Sequence, residues 1–177
     1  LGDVYKRQVW DCAFERVAAD YPELPTMSLL VDAAAMEFVR HPEAFDLVVA
    51  SNLFGDILSD MAAIITGSIG LAASGNINPD GEQPSMFEPV HGSAPDIAGK
   101  GVANPLAAIL SAAMMLEHLG QAAEAEAIQK AVLLVIERRE MLPSDMGGTA
   151  TTQQVGDAVL SALGSCLLYT SPSPRDA

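Results

Sequence analysis

Cysteine is scarce in this chain: Cys12 and Cys166 are the two among 177 residues. They lie far apart with no histidine at metal-ligand spacing, so neither a disulfide framework nor a zinc site is expected, and a reducing compartment suits the chain. Basic residues are scarce too. Lys and Arg number 9 against 23 Asp and Glu, for a formal net charge of −14. That charge repels nucleic-acid phosphates and anionic membrane surfaces, so neither is an expected partner. An anionic substrate therefore requires a metal ion or basic groups supplied from elsewhere. No apolar run reaches the ~20 residues of a bilayer span, and no basic leader precedes a cleavage site. A soluble, cytoplasmic protein is the expectation. The G-x-G-x-x-G fingerprint is also missing, so a Rossmann fold is not indicated.

What is present is apolar residue in quantity, 50% of the chain, enough for the core of one domain or of part of a larger one. The two ends differ from the rest. Residues 1–8 start without methionine, and 166–177 break from an alanine-rich helical pattern into a Ser/Pro tail. Both resemble translated sequencing adapters and are expected to be a non-native leader and tail, leaving 9–165 as a genuine segment cut on its N-terminal side. A native disordered tail is the alternative at the C-terminus.

Trp10, Phe14, Val17 and Ala18 recur at helical spacing, and Tyr21-Pro22 ends that helix. Residues 27–31 read as a buried strand, 33–39 as a helix ending before His41-Pro42, and 46–51 as a second strand. A long helix runs over 55–65. A polar loop at 74–84 precedes a short strand at 85–90, and a glycine-rich loop covers 91–101. Helices follow at 105–119, 121–139 and 152–163. This order argues for an α/β domain with much helix-on-helix packing. The helices at 56–65 and 104–116 are apolar on most faces. For the second, burial in the core is the preferred account; the first suits a subunit interface.

Two segments carry chemistry. In Asn52-Leu53-Phe54-Gly55-Asp56-Ile57-Leu58-Ser59-Asp60 two carboxylates leave one helix face a turn apart. Two anions so placed on an apolar helix call for a cation, and hard oxygen ligands point to magnesium or manganese. An acidic first helical turn favoured by the helix dipole explains the same residues. In Phe87-Glu88-Pro89-Val90-His91-Gly92-Ser93-Ala94-Pro95-Asp96-Ile97-Ala98-Gly99-Lys100-Gly101, the small residues Gly92, Ser93 and Ala94 let backbone approach a flat ligand. Asp96 there can accept from a ribose diol. A plain loop with a satisfied histidine and an exposed aspartate accounts for it equally.

Both segments resemble one family. Residues 52–60, with Gly67-Ser68-Ile69-Gly70-Leu71, are similar to the signature of the β-decarboxylating dehydrogenases. This is the isocitrate/isopropylmalate dehydrogenase family, which includes the 3-isopropylmalate, isocitrate, and tartrate or D-malate enzymes. Residues 87–101 with Asn104-Pro105 resemble its coenzyme loop. The likeness runs from Trp10 to Leu163, roughly the second half of a typical member. It implies the C-terminal portion of an α/β, isopropylmalate dehydrogenase-like fold: a mixed sheet flanked by helices, with a helical dimer interface. It further implies that Asp56 and Asp60 hold Mg2+ or Mn2+ with Asp32 of the neighbouring subunit. His91, Gly92, Ser93, Ala94, Ile97 and Asn104 then line the adenosine site, and Glu88 lies near the nicotinamide-side ribose. Asp96 stands where NADP-using relatives carry a basic residue, which implies NAD.

The implied activity is oxidative decarboxylation of a 2-hydroxy dicarboxylate by a homodimer, with 3-isopropylmalate, and so leucine biosynthesis, placed ahead of tartrate or D-malate. The chain departs from the family in one respect. The family lysine falls about ten residues before Trp10 and has no counterpart, and the arginine cluster and tyrosine for the substrate carboxylates, with the element reading the third substituent, belong to the missing half. No catalytic residue is therefore assigned, and the chain by itself is expected to be inactive. A non-catalytic metal-binding or dimerisation fragment is the alternative from another class.

Overall fold

The computed structural model describes the backbone of residues 2–170 and the side chains of residues 8–164. The expected tail at 166–177 thus has no described side chains, and neither does Cys166. Cys12 is an exposed free thiol. Two compact units are present, 1–37 and 38–177.

The first unit holds helix α1 (Gly2–Ala18), which takes in much of the expected leader, and the start of α2 (Val31–Arg40). Helix α1 ends in the turn made by Asp20 and Tyr21, whose N–H groups donate to Val17 and Ala18 carbonyls at 3.0 Å. Its Trp10 and Val17 are exposed, so the helical spacing there is real while the stripe it draws is uncovered. Asp32 occupies the first turn of α2, where the helix dipole favours an anion, and its Oδ1 accepts from the Ala33 N–H at 2.9 Å.

The second unit opens on the end of α2, where Phe38 stacks on Phe45 with ring centroids 4.5 Å apart. It continues through α3 (Asn52–Ile65), strands β1 (Ala73–Asn76) and β2 (Met86–Pro89), and helices α4 (Leu106–His118), α5 (Ala122–Arg138) and α6 (Thr152–Thr170). The strands pair antiparallel in the register Ala73↔Pro89 to Asn76↔Met86, and the hairpin lies on α4. Helix α5 packs between α4 and α6. Leu106, Ala131, Val132, Val135, Val155, Val159 and Ala162 form the core of that three-helix layer. With Leu106, Ala107 and Ala113 all at 0% exposure, α4 is a core helix.

The class is α/β and helix-rich, as expected, but the sheet among the described residues is this one antiparallel pair rather than a mixed sheet. The strands expected at 27–31 and 46–51 form no ladder. Both runs are apolar enough for a strand, yet a strand exists only through the neighbours that accept and donate its hydrogen bonds. Neither run has one here, and Leu47 and Val49 are 86% and 62% exposed. Strand β1 was missed for the opposite reason: Ala73-Ser74-Gly75-Asn76 reads as turn chemistry, and tertiary context makes it a strand. A Cβ on Gly75 would stand 3.1 Å from the Phe87 ring and 3.2 Å from the Met114 sulfur, so a side chain there would need both neighbours to give by a few tenths of an ångström.

Removing the side chain of fully buried Leu106 should lower unfolding free energy by about 2–5 kcal/mol, whereas Leu133→Ala on the exposed face of α5 should stay within about 0.5 kcal/mol. Urea midpoints of the two variants measure the difference.

Candidate metal and dinucleotide site

Helix α3 starts at Asn52 behind Ser51, whose carbonyl accepts from the Gly55 N–H at 2.7 Å. At ~100° per residue, Asp56 and Asp60 fall about 40° apart, on the side opposite Leu58. Leu58 is buried at 6%, and both aspartates are exposed. The helix has thus spent its inward face on Leu58 and presents the carboxylate pair outward. Among the described residues, no cation forms an ion pair with either aspartate.

Oxygen-only donors one turn apart with no counter-charge fit a hard divalent ion, which needs further ligands beyond these two. Among the described residues no three His, Cys, Asp or Glu of the one chain gather into a metal-holding group. Asp32 lies in the first unit, and its expected role is toward a neighbouring subunit. The flanking Leu53, Ile57 and Ile64 of α3 are 65%, 47% and 63% exposed, which leaves an uncovered apolar surface beside the carboxylates.

The second segment begins on β2. Glu88 is exposed there, and its carbonyl accepts from the Ser74 hydroxyl at 2.9 Å. His91 is half-buried, with its Nδ1 3.0 Å from the Gly92 carbonyl. Gly92, Ser93 and Ala94 are exposed, and a Cβ on Gly92 would meet open space. Ala94 adopts φ 41°, ψ 63°, a left-handed conformation that a side-chain-bearing residue enters only against strain of about 1–2 kcal/mol. It leads into a 3-10 turn, Pro95–Ile97, that carries exposed Asp96 and half-buried Ile97. The surface is small, open and backbone-rich, which suits a flat heteroaromatic ligand and a diol.

Asn104 behaves differently from the other expected residues because its side chain is already committed. Its Oδ1 accepts from the Leu106 N–H at 2.9 Å, closing the start of α4, and its Nδ2 donates to Asp145 Oδ2 at 2.9 Å. The Ser68 hydroxyl donates to that same Asp145 oxygen and accepts from the Gly70 N–H at 2.9 Å. Gly70 is pressed against this group: a Cβ there would come within 2.6 Å of Asn104 Nδ2 and 2.7 Å of Asp145 Oδ2. Thr152, at the start of α6, holds the same stretch from another side. Its N–H donates to the Gly101 carbonyl at 2.9 Å and its hydroxyl to the Ala103 carbonyl at 2.6 Å.

Ser68 stands in the quoted signature without an assigned role, and Asp145 and Thr152 are not among the residues singled out from the sequence. Their partners lie 77, 41 and 49 positions away, and no local pattern announces such bonds. The one clearly displaced titratable group described is Glu43, on the turn after α2. A backbone hydrogen bond at its own residue, and then His41, hold its carboxyl below the ordinary value, and it belongs to neither segment.

With this geometry in place, comparison with known proteins is direct. A family profile described as isocitrate/isopropylmalate dehydrogenase matches residues 4–159. A 3-isopropylmalate dehydrogenase of Streptomyces griseus is 55% identical over 157 residues, covering 88% of this chain and 44% of that protein. An isocitrate/homoisocitrate dehydrogenase of Thermus thermophilus is 55% identical over 151 residues, again over 44% of its length. Among solved structures, isocitrate dehydrogenase from Methylococcus capsulatus superposes with a TM-score of 0.80 at 44% identity, over 84% of this chain and 44% of that one. The apo form of a β-decarboxylating dehydrogenase from Thermococcus kodakarensis gives 0.78 at 38%, over 96% and 49%. The chain spans a little under half the length of the curated relatives it matches.

The strain at Ala94 generates a prediction. Ala94→Gly should raise stability by about 0.5–1 kcal/mol, since glycine enters the left-handed region freely and loses part of that gain to its unfolded-state entropy. Thermal unfolding of the variant against the parent measures it.

Proposed function

The chain belongs to the isocitrate/isopropylmalate dehydrogenase family, and from that premise we propose that the protein carrying it is an NAD- and divalent-metal-dependent oxidative decarboxylase of a 2-hydroxy dicarboxylic acid. The observation that carries this reading is the outward-facing, unpaired Asp56–Asp60 couple on an otherwise apolar helix, in a fold shared with dehydrogenase structures. When bound, the divalent ion supplies Lewis-acid polarisation of the substrate's oxygens and the nicotinamide accepts the hydride.

The chain's own residues do the holding. Asp56 and Asp60 give the ion anionic oxygen ligands from a rigid helix, with Asp32 of a second copy completing the set, so the working unit is a homodimer with shared metal sites. The exposed apolar residues of α3 beside the pair suit that interface. Glu88, His91, Gly92, Ser93, Ala94 and Ile97 form the dinucleotide surface. Asp96 accepts hydrogen bonds from the adenosine ribose diol and repels a 2′-phosphate, which selects NAD. Proton transfer and recognition of the substrate carboxylates fall to residues outside this chain. No helix among the described residues is long and apolar enough to cross a membrane, and a cytoplasmic enzyme is part of the proposal.

Among substrates, 3-isopropylmalate stands first because several relatives at 50–55% identity carry that name. Equal identity to an isocitrate/homoisocitrate enzyme keeps isocitrate in the comparison. The test is NADH formation by the full-length protein with 3-isopropylmalate, isocitrate, D-malate and tartrate in the presence of Mn2+. Turnover of 3-isopropylmalate is expected, and no turnover of any of the four would leave a non-catalytic fragment as the reading.

Asp60→Asn should weaken manganese binding by about tenfold or more, as read by calorimetry, through loss of one anionic ligand. Unaltered affinity would remove the metal site. Asp96→Lys should shift preference from NAD toward NADP, and an unchanged ratio of the two KM values would show that the loop is wrongly assigned.

A further inference from the structure

Resting on the dinucleotide reading above, we propose that Asp145 is a positioning residue of the NAD site, acting through Asn104. One carboxylate oxygen, Asp145 Oδ2, accepts from both the Ser68 hydroxyl and Asn104 Nδ2. Asn104 Oδ1 in turn closes the first turn of α4. The amide plane of Asn104 is therefore fixed at both ends, and with it the backbone that leaves the 91–101 loop and enters the core at Leu106. Asp145 itself is exposed, and its oxygen, a charge-assisted acceptor shared by two donors, constrains an otherwise irregular segment from the solvent side.

The surroundings show that this contact is built rather than incidental. Ser68 is 3% exposed, and its hydroxyl is both donor to Asp145 and acceptor from Gly70. Position 70 has no room for a side chain, because any Cβ would collide with Asn104 and Asp145 together. The loop exit is also held by Thr152 at Gly101 and Ala103, so the one side-chain anchor at Asn104 itself is Asp145. Asp145 rides on a separate 3-10 turn, Ser144–Met146, between α5 and α6. Losing its carboxylate would free the Asn104 amide and leave the Ser68 hydroxyl seeking another acceptor, while leaving the carboxylates of α3 as they are.

The test is direct NAD binding to the full-length protein by calorimetry, with the Mn2+ dissociation constant measured separately in the absence of NAD. Asp145→Ala and Asn104→Ala should each raise the NAD dissociation constant about tenfold, in line with loss of a charge-assisted bond. The double variant should be no weaker than Asn104→Ala alone, because Asp145 acts through Asn104. The Mn2+ constant should stay within twofold. Losses that multiply to about a hundredfold in the double variant would overturn the proposal, as would equal weakening of NAD and Mn2+ binding by Asp145→Ala, the mark of general loosening.

If Asp145→Ala does not fold, the exchange of the two groups decides. Asn104→Asp alone sets two carboxylates against each other and should weaken NAD binding, and adding Asp145→Asn restores a donor–acceptor pair and should recover it to within threefold. Absence of recovery overturns the inference. The underlying reading fails separately: if Asp96→Lys leaves coenzyme preference unchanged, the loop is not the NAD site. If Asp96→Lys shifts it while Asp145→Ala leaves NAD affinity intact, the loop stands and the positioning role falls.

Discussion

One carboxylate oxygen ties together parts of the second unit that the chain order keeps far apart. Asp145 Oδ2 receives the Ser68 hydroxyl from the segment that leaves α3, and the Asn104 amide from the segment that enters α4. Helix α3 carries the outward aspartates, and the loop before Asn104 carries the small residues suited to a dinucleotide. The same oxygen thus joins the segment that leaves α3 to the segment that follows the 91–101 loop. Gly70 makes the junction possible because it contributes no side chain where three segments meet. In this junction Ser68 is buried, Asn104 half-buried and Asp145 exposed, and the Ser68 hydroxyl, both ends of the Asn104 amide and Asp145 Oδ2 all have partners.

Legibility from sequence followed the range over which each feature is determined. Helices α4, α5 and α6 are set by apolar residues at short spacing, so their existence could be read directly, with the limits of α4 and α5 right to within a residue, while α6 runs on to Thr170, past its expected end at 163 and into the expected tail. The carboxylate pair was legible for the same reason, since Asp56 and Asp60 sit on one face by helical geometry alone. The strand expectations at 27–31 and 46–51 failed because a strand needs a neighbour that sequence cannot name, and Ala73–Asn76 is a strand because β2 supplies that neighbour. Asn104 was assigned to the nucleotide surface, yet both ends of its side chain are used inside the protein. That commitment depends on Asp145, and no local rule links two residues 41 positions apart.

The relatives divide the family's chemistry in an instructive way. Over this segment the chain is equally similar, at 55%, to a 3-isopropylmalate enzyme and to an isocitrate/homoisocitrate enzyme. Those two names describe different substituents on a common 2-hydroxy acid frame. What the segment supplies under the proposed reading, oxygen ligands for an ion and a surface for a dinucleotide, is the part indifferent to that substituent. Equal identity to both names over this segment therefore does not choose between those substituents.

Charge gives the last constraint. With 23 acidic and 9 basic residues, and with Asp56 and Asp60 unpaired on an exposed face, the region around α3 repels a dicarboxylate. Two fixed anions and a doubly charged substrate attract each other only if something between them reverses the sign. A divalent ion does so, because it neutralises the pair and still offers coordination to the incoming oxygens. The aspartates and the substrate would then be ligands of one cation and no longer rivals, and the acidity of this chain would strengthen the site by concentrating cations at it. Under the proposed reading, an acidic chain and an acidic substrate would be consistent physics, provided the cation arrives with or before the substrate.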